Sequence, residues 1–434
     1  MRHIVIIGQS VTAVKAVELL RAHDQESRVT LVGFGPDFAA LPERFPEWIA
    51  RQINRAQVFY QNENFYRNLR VECVTDKKID RINLNRRMVV FEDKDRLEAD
   101  VLILAGAEKN RFPDIKGTNK EGVFSLQTID QVDALLKKIG NIDTIVIESQ
   151  TLNGVRFAQA LLAQDKEVIL CLPRGTLLPG EMDAVTADFA VTVLEQAGVR
   201  VLRKSTIQEV LGEADVKAVR LNIGKVIAAE VVIFPDALPD IRLYRKSGLD
   251  GDTHLKTTGG LQTSSEAVYA VDRVGDWFQR DRRFGSYDDV CRVQAQQLSA
   301  AILGQEPPEE DGILQVCLEI GGQEVCLIGD ISGQGAEAFS AHDQNGLLAK
   351  RLFLKNNVVL GAVLVNNSTI TQRLACLISE RQSIDPEHDE LIADCVKDGQ
   401  AVNSAQPYPQ EEDKADAERD LPAADREPEG EFQT

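Results

Sequence analysis

Two short segments carry residues whose type and spacing could hold a phosphate. The first is Gly8-Gln9-Ser10-Val11-Thr12-Ala13, entered from Ile4-Val5-Ile6-Ile7 and left through Val14-Lys15-Ala16-Val17-Glu18-Leu19-Leu20. The second is Ser149-Gln150-Thr151-Leu152-Asn153-Gly154, set between Thr144-Ile145-Val146-Ile147-Glu148 and Val155-Arg156-Phe157-Ala158-Gln159-Ala160-Leu161-Leu162. Each reads as strand, turn, helix. In that arrangement a G-x-G-x-x-G turn lets backbone N–H groups and a helix N-terminus approach the diphosphate of a dinucleotide. Both copies are eroded, to G-x-S-x-x-A and S-x-T-x-x-G. In the first, Gly8 keeps the tight-turn role and Ala13 is small enough for helix–strand packing. Ser10 adds a tolerable hydroxymethyl that can itself donate to phosphate. In the second only Gly154 survives. Thr151 is β-branched and poorly suited to a left-handed backbone, and Glu148 sets negative charge against an anionic ligand. The first turn is expected to be usable and the second not.

No other chemistry competes. The histidines at 3, 23, 254, 342 and 388 are isolated, and no nucleophile–base pair stands out. Cysteines 73, 171, 291, 317, 326, 376 and 395 form neither a C-x-x-C nor a metal-ligand spacing. A net charge of -19 argues against nucleic acid, whose phosphates need a basic surface. No apolar run approaches the roughly 18–20 residues of a membrane span, and the first residues do not read as a signal peptide. A cytoplasmic location is the expectation.

The elements that must position the turns follow in order. A helix over 12–23 leads to the strand Arg28-Val29-Thr30-Leu31-Val32, and a further helix is expected around Glu47–Arg55. Strands at 69–74 and 87–91 precede the buried strand Asp100–Leu104. The second unit repeats this logic. Its strand at 167–172, helix at 184–197, strand at 199–202 and antiparallel pair near 210 and 219–223 lead to the buried strand 230–234. The segment 305–311 reads as a linker. Beyond it Gly321-Gly322 signals a hairpin, which would set Cys317 opposite Cys326. Two small core side chains are the expectation there, with a redox disulfide as the alternative. Strands at 347–354 and 358–365 and a helix at 371–380 complete a small α+β domain. From about 401 an acidic, proline-bearing tail reads as disordered.

With these segments in hand, the chain resembles the pyridine nucleotide-disulfide oxidoreductases that use FAD and NAD(P). It is most similar to the branch of rubredoxin and ferredoxin reductases, NADH oxidases and the NADH-handling half of assimilatory nitrite reductase. The likeness rests on 259–271 (Gly-Gly-Leu-Gln-Thr-Ser-Ser-Glu-Ala-Val-Tyr-Ala-Val), on Thr176-Leu177-Leu178-Pro179, and on the run from Arg351 to Val365. It implies an α/β fold of two Rossmann-like domains, the NAD-type inserted into the FAD-type. The FAD-type domain would be 1–117 with 240–304, the NAD(P)-type 118–239, and the C-terminal α+β domain 312–385, followed by the tail 401–434.

The resemblance also implies ligand positions. For FAD these are Gly8, Ser10, Ala13, Ala105 in the altered Ala105-Gly106-Ala107 turn, and the Tyr269-Ala270-Val271-Asp272-Arg273 segment. Arg273 stands where the family has its ribityl-binding Asp, and Asp272 where it has Gly. Either Asp272 substitutes by a one-residue adjustment, or Arg273 meets a phosphate, or the contact is lost. Phe34 takes the place of the ribose-binding acid. Trp277, with Phe278, is a flavin cover or a core or interface residue. For NAD(P) only Gly154 remains, the ribose acid is replaced by Leu172, and Arg174 is a weak candidate for a 2′-phosphate. The expectation is an electron-transfer flavoprotein component that keeps FAD, has an impaired NAD(P)H site and works with a redox protein partner or larger complex, with a homo-oligomer left open. The alternative is a non-catalytic pseudo-oxidoreductase serving as scaffold or regulatory subunit.

Overall fold

The computed structural model describes residues 2–34, 38–75, 77–107, 110–277, 287–306, 315–386 and 389–398. The acidic tail lies outside the described residues, as do Phe278 and His388.

The β-branched run at the N-terminus forms the strand His3–Ile7, buried from Ile4 onward, at the centre of a five-stranded sheet. Across that sheet run Val268–Ala270, Val101–Leu104, His3–Ile7, Arg28–Val32 and Val71–Val74, all parallel. Strands buried on both faces need helices on both sides, which is why they read as continuous apolar runs. The helix Val11–His23 starts at Ser10, whose side chain accepts from the Ala13 N–H. It packs with Tyr287–Leu303 over one face of the sheet through a shared core of Ala13, Ala16, Val17, Leu20, Val293 and Leu298.

The second sheet repeats the plan. Arg200–Arg203, Glu167–Leu172, Thr144–Glu148, Val231–Ile233 and Val123–Phe124 lie side by side, again all parallel. Each sheet carries a three-stranded antiparallel insertion, Ile79–Asn83 with Met88–Phe91 and Arg96–Glu98 in the first, and Ile207–Leu211 with Ala218–Leu221 and Val226–Ala228 in the second. The chain crosses between the two sheets twice, and the crossings pair with each other, Asn110–Arg111 antiparallel to Leu238–Pro239.

The last sheet is antiparallel and six-stranded, in the order Gln315–Ile320, Gln323–Gly329, Val358–Val365, Leu348–Lys355, Glu337–His342, Val396–Lys397. One face meets the helix Thr371–Ser379, and the other packs on the second sheet's helices.

Several local expectations shift. The helix expected around Glu47–Arg55 is a single α-turn, Phe45–Ile49. Arg51 then turns left-handed (φ 60°), and a capping box at Asn54 opens the short 3-10 turn Arg55–Val58. The last sheet also contains the strands Glu337–His342 and Val396–Lys397, beyond those expected from the sequence. The expected free pair Cys317 and Cys326 is corrected: the two sulfurs form a disulfide. The Gly-Gly turn sets the two residues directly opposite, and the reading of two small core residues overlooked how close such a pair must be.

Arg351 ties the last sheet to the second. It is 1% exposed, and its Nη2 lies 2.9 Å from the carboxylate of Asp183, the N-cap of the helix Ala184–Gln196. Asp398 and the Ser340 hydroxyl take its Nη1. The Asp183 N–H in turn donates to Ile331 O at 2.8 Å. Removing one member of a buried pair leaves the other charge uncompensated. Arg351→Met is therefore expected to lower the free energy of unfolding by about 3 kcal/mol, read from urea denaturation; an unchanged midpoint would deny the clamp its importance.

Candidate functional site

The site is built where the two parallel sheets present the C-terminal ends of their central strands. The chain leaves His3–Ile7 through Gly8, whose φ of +108° only glycine adopts easily. A Cβ there would stand 2.5 Å from the Gly106 nitrogen, so the turns at 8 and 105–107 cross in backbone contact. Ala105 N–H donates to Ile7 O at 2.7 Å, and the buried Tyr244 hydroxyl donates to Gly106 O, which fixes the crossing from beneath. Phe34 lies at its rim, with Cε2 3.6 Å from where a Gly106 Cβ would be.

Ser10, in the second glycine position, is 5% exposed and donates from Oγ to Asp272 Oδ2 at 2.9 Å. Tyr287 OH donates to the same oxygen at 2.5 Å, and the Arg273 N–H donates to Oδ1 at 2.9 Å. Asp272 adopts the left-handed conformation (φ 57°), which Asp tolerates better than most residues. Its N–H is held by Gln294 Oε1 at 2.7 Å. Of the three alternatives for this segment, the geometry brings Asp272 to the turn. Arg273 points elsewhere and donates from Nη2 to Ala237 O at 2.8 Å, on the return crossing from the second sheet. Burial pushes the Asp272 carboxyl upward, against the pull of the Tyr287 and Ser10 hydroxyls and of Arg273. The Gln294 amide nitrogen is buried beside this turn without a protein acceptor.

At the second turn a carboxylate that the sequence reading missed is held in the same manner. Asp236 accepts from Ser149 Oγ and from Thr151 Oγ1, each at 2.7 Å. Burial pushes this carboxyl up as well, opposed by the two hydroxyls and by Arg273. Arg273 is thus electrostatically coupled to both turn carboxylates, Asp272 and Asp236, while burial disfavours its own charge. Gly154 is needed here for packing, because a Cβ on it would fall 2.4 Å from Ser149 Cβ. Glu148 accepts from the Ile207 N–H, and its carboxyl is pushed up to about 7, chiefly by burial and further by Asp236. Leu172 is fully buried at its strand end. Arg174 gives its backbone N–H to Gln150 Oε1 at 3.3 Å. Trp277, 4% exposed, packs in the core with Val290 and Leu298.

Asp236 stands three residues beyond the buried strand Val231–Ile233, and an acid just past that end of a parallel strand was the signal available in the sequence. Among the described residues no group of histidine, cysteine and carboxylate side chains is arranged to hold a metal, and no helix is long and apolar enough to cross a membrane.

Two parallel sheets of one plan, each with a strand–turn–helix at its centre, define a two-Rossmann-domain α/β protein. Residues 2–287 match the model of the pyridine nucleotide-disulphide oxidoreductase family, and the chain belongs to that family. It is 23% identical over 388 residues to the nitrite reductase [NAD(P)H] of Bacillus subtilis, covering 88% of this chain and 48% of that protein. This chain thus spans about half that relative's length. It is 25% identical over 402 residues to the ferredoxin reductase component of chlorobenzene dioxygenase from a Cupriavidus species, covering 91% of this chain and 97% of that one. Among solved structures, the covalent putidaredoxin reductase–putidaredoxin complex superposes with a TM-score of 0.75 at 18% identity, over 90% of this chain and 96% of that chain.

The two turns differ in what they fit. The first keeps the glycine crossing, a helix N-terminus whose leading N–H groups lack intrahelical acceptors, and the buried Gln294 amide donor. These suit a dinucleotide diphosphate. At the second, both turn hydroxyls are bonded to Asp236, and Ser149 lies where a Cβ on Gly154 would fall.

Two outcomes test this geometry. Gly154→Ala is expected to destabilise the fold by about 2 kcal/mol. Added to Ser149→Gly it should cost at least about 1 kcal/mol less, and strict additivity in denaturation would show that the two residues do not collide. Glu148 ionises less readily in the folded protein than in the unfolded chain, where the value is near 4.5. Its neutral form favours folding, and that advantage is lost as pH rises from about 4.5 through about 7. Glu148→Gln should flatten the fall in thermal midpoint across this window; a parallel profile would remove the carboxyl as its cause.

Proposed function

We propose that the chain is an electron-transfer oxidoreductase component that holds a flavin dinucleotide in its first domain and exchanges electrons with a protein partner instead of taking hydride from NAD(P)H at its second turn. The observation that carries this reading is the asymmetry of the turns. Gly8, Ser10, Ala13 and Ala105 retain a diphosphate approach, with Asp272 and Gln294 beside it, whereas Asp236 occupies the second turn from within. Bound flavin would supply the redox chemistry. The chain's own residues would position its diphosphate on the helix Val11–His23, and the buried Asp272 would meet the adjoining hydroxyls. Support for a partner comes from relatives named as ferredoxin reductases and from the putidaredoxin complex. The boundaries 1–117 with 240–304, and 118–239, belong to this reading.

A second reading has its own observation. The Asp272 carboxylate sits 2.9 Å from the serine that replaces the second turn glycine, and an ionised group there opposes an anion. If that repulsion wins, the chain is a pseudo-oxidoreductase, a scaffold or regulatory subunit of a larger assembly.

Absorbance and cofactor titration separate the readings. The purified chain, or the chain reconstituted with FAD, is expected to absorb near ~450 nm and to show a saturable thermal shift with FAD. Bleaching by dithionite should be fast and by NADH or NADPH slow. Neither colour nor shift would leave the scaffold reading, and rapid bleaching by NADH would overturn the closed second turn.

A further inference from the structure

The Cys317–Cys326 disulfide lies outside both dinucleotide turns and beyond residues 2–287 that match the family, and the proposed electron transfer does not use it. The two residues are direct cross-strand partners in the hairpin Gln315–Ile320 and Gln323–Gly329, with Cα atoms 4.0 Å apart. Two observations speak against a purely structural staple. First, the hairpin is already determined without it. Gly321 and Gly322 both have positive φ, as a two-residue hairpin turn requires, and five residue pairs besides the cysteines make up the ladder. Leu318, Ile320, Val325 and Leu327 anchor it in the core beneath. Second, the chain is otherwise a thiol protein. The other five cysteines are free, and Cys73 and Cys376 are exposed.

The two sulfurs are also unequal. Cys317 is exposed on the edge strand, while Cys326 is buried with Ile328, Leu352, Leu364 and Leu374. On the same face, the next cross-strand pair is Glu319 and Glu324, both exposed.

We propose that Cys317–Cys326 is a thiol–disulfide exchange site, open at Cys317 and selective by charge for neutral or cationic thiols over anionic ones. A thiolate attacks Cys317 Sγ, the bond to Cys326 breaks, and Cys326 leaves and takes up a proton. A second thiolate attacks the small-molecule sulfur of the mixed disulfide, forming the small-molecule disulfide and releasing Cys317 as leaving thiolate, which takes up a proton. The chain gains two electrons and two protons, and two thiols are oxidised to one disulfide. Glu319 and Glu324 repel an approaching anionic thiol and attract a cationic one, an effect that added salt weakens.

The test uses the full chain, air-oxidised, with alkylation and peptide mass mapping. Incubated folded with cysteamine, freed of it and then alkylated in denaturant, the protein should go from five alkylatable cysteines to seven, the two new ones being Cys317 and Cys326. The far-UV spectrum should be retained, with a thermal midpoint within a few degrees. Given cystamine, the disulfide of the same small thiol, Cys326→Ser should hold a cysteamine adduct on Cys317, with one equivalent of cysteamine released. After correction for thiolate fraction and intrinsic nucleophilicity, cysteamine should react severalfold faster than mercaptoacetate at low salt, and the double variant Glu319→Gln, Glu324→Gln should close most of that gap. The proposal is overturned if both cysteines alkylate before reduction, if the bond yields only in denaturant, or if reduction melts the sheet. Equal rates for the two thiols would overturn the charge selectivity. None of these readouts depends on flavin or on activity.

Discussion

A buried carboxylate must find donors or lose its charge, and two such carboxylates organise the centre of this molecule. Asp272 takes hydroxyls from Ser10 and Tyr287, and Asp236 takes hydroxyls from Ser149 and Thr151. The residues that erode the glycine turns are therefore the donors that these acids require. Serine or threonine for glycine, and aspartate nearby, form one linked set of changes at each turn. Gly154 belongs to the second set, since only glycine leaves room for Ser149.

The two sets remain different in kind. At the first turn Asp272 is carried in by a left-handed residue that follows the edge strand Val268–Ala270, and the backbone crossing of Gly8 with Gly106 is intact. At the second, Asp236 follows the strand Val231–Ile233 and binds both replaced positions at once. Arg273 supports both acids while bonded to the crossing strand at Ala237. The guanidinium thus neutralises part of the charge that each turn has gathered, and it does so from the seam between the two sheets.

Much of this could be read along the chain. The parallel strands announced themselves as apolar runs and the turns as strand–turn–helix, while Asp272 was one of three readings left open for its segment. What escaped the reading depends on distance in sequence. Asp236 lies far along the chain from Ser149, and only the parallel pairing of Thr144–Glu148 with Val231–Ile233 brings them together. The Arg351–Asp183 pair likewise joins two domains and has no local pattern. Cys317 and Cys326 were legible as neighbours, but an edge strand leaves one of them in solvent, so burial could not be assumed from alternation alone.

The Arg351 clamp has a consequence for how the molecule breathes. The Asp183 carboxylate caps the helix Ala184–Gln196, and Arg351 is fixed within the strand Leu348–Lys355. Fraying that helix from its N-terminus would strip the guanidinium of a partner where water cannot replace it. The first turn of the helix and the middle of the last sheet therefore open together or not at all, a single cooperative unit assembled from segments that never adjoin in sequence.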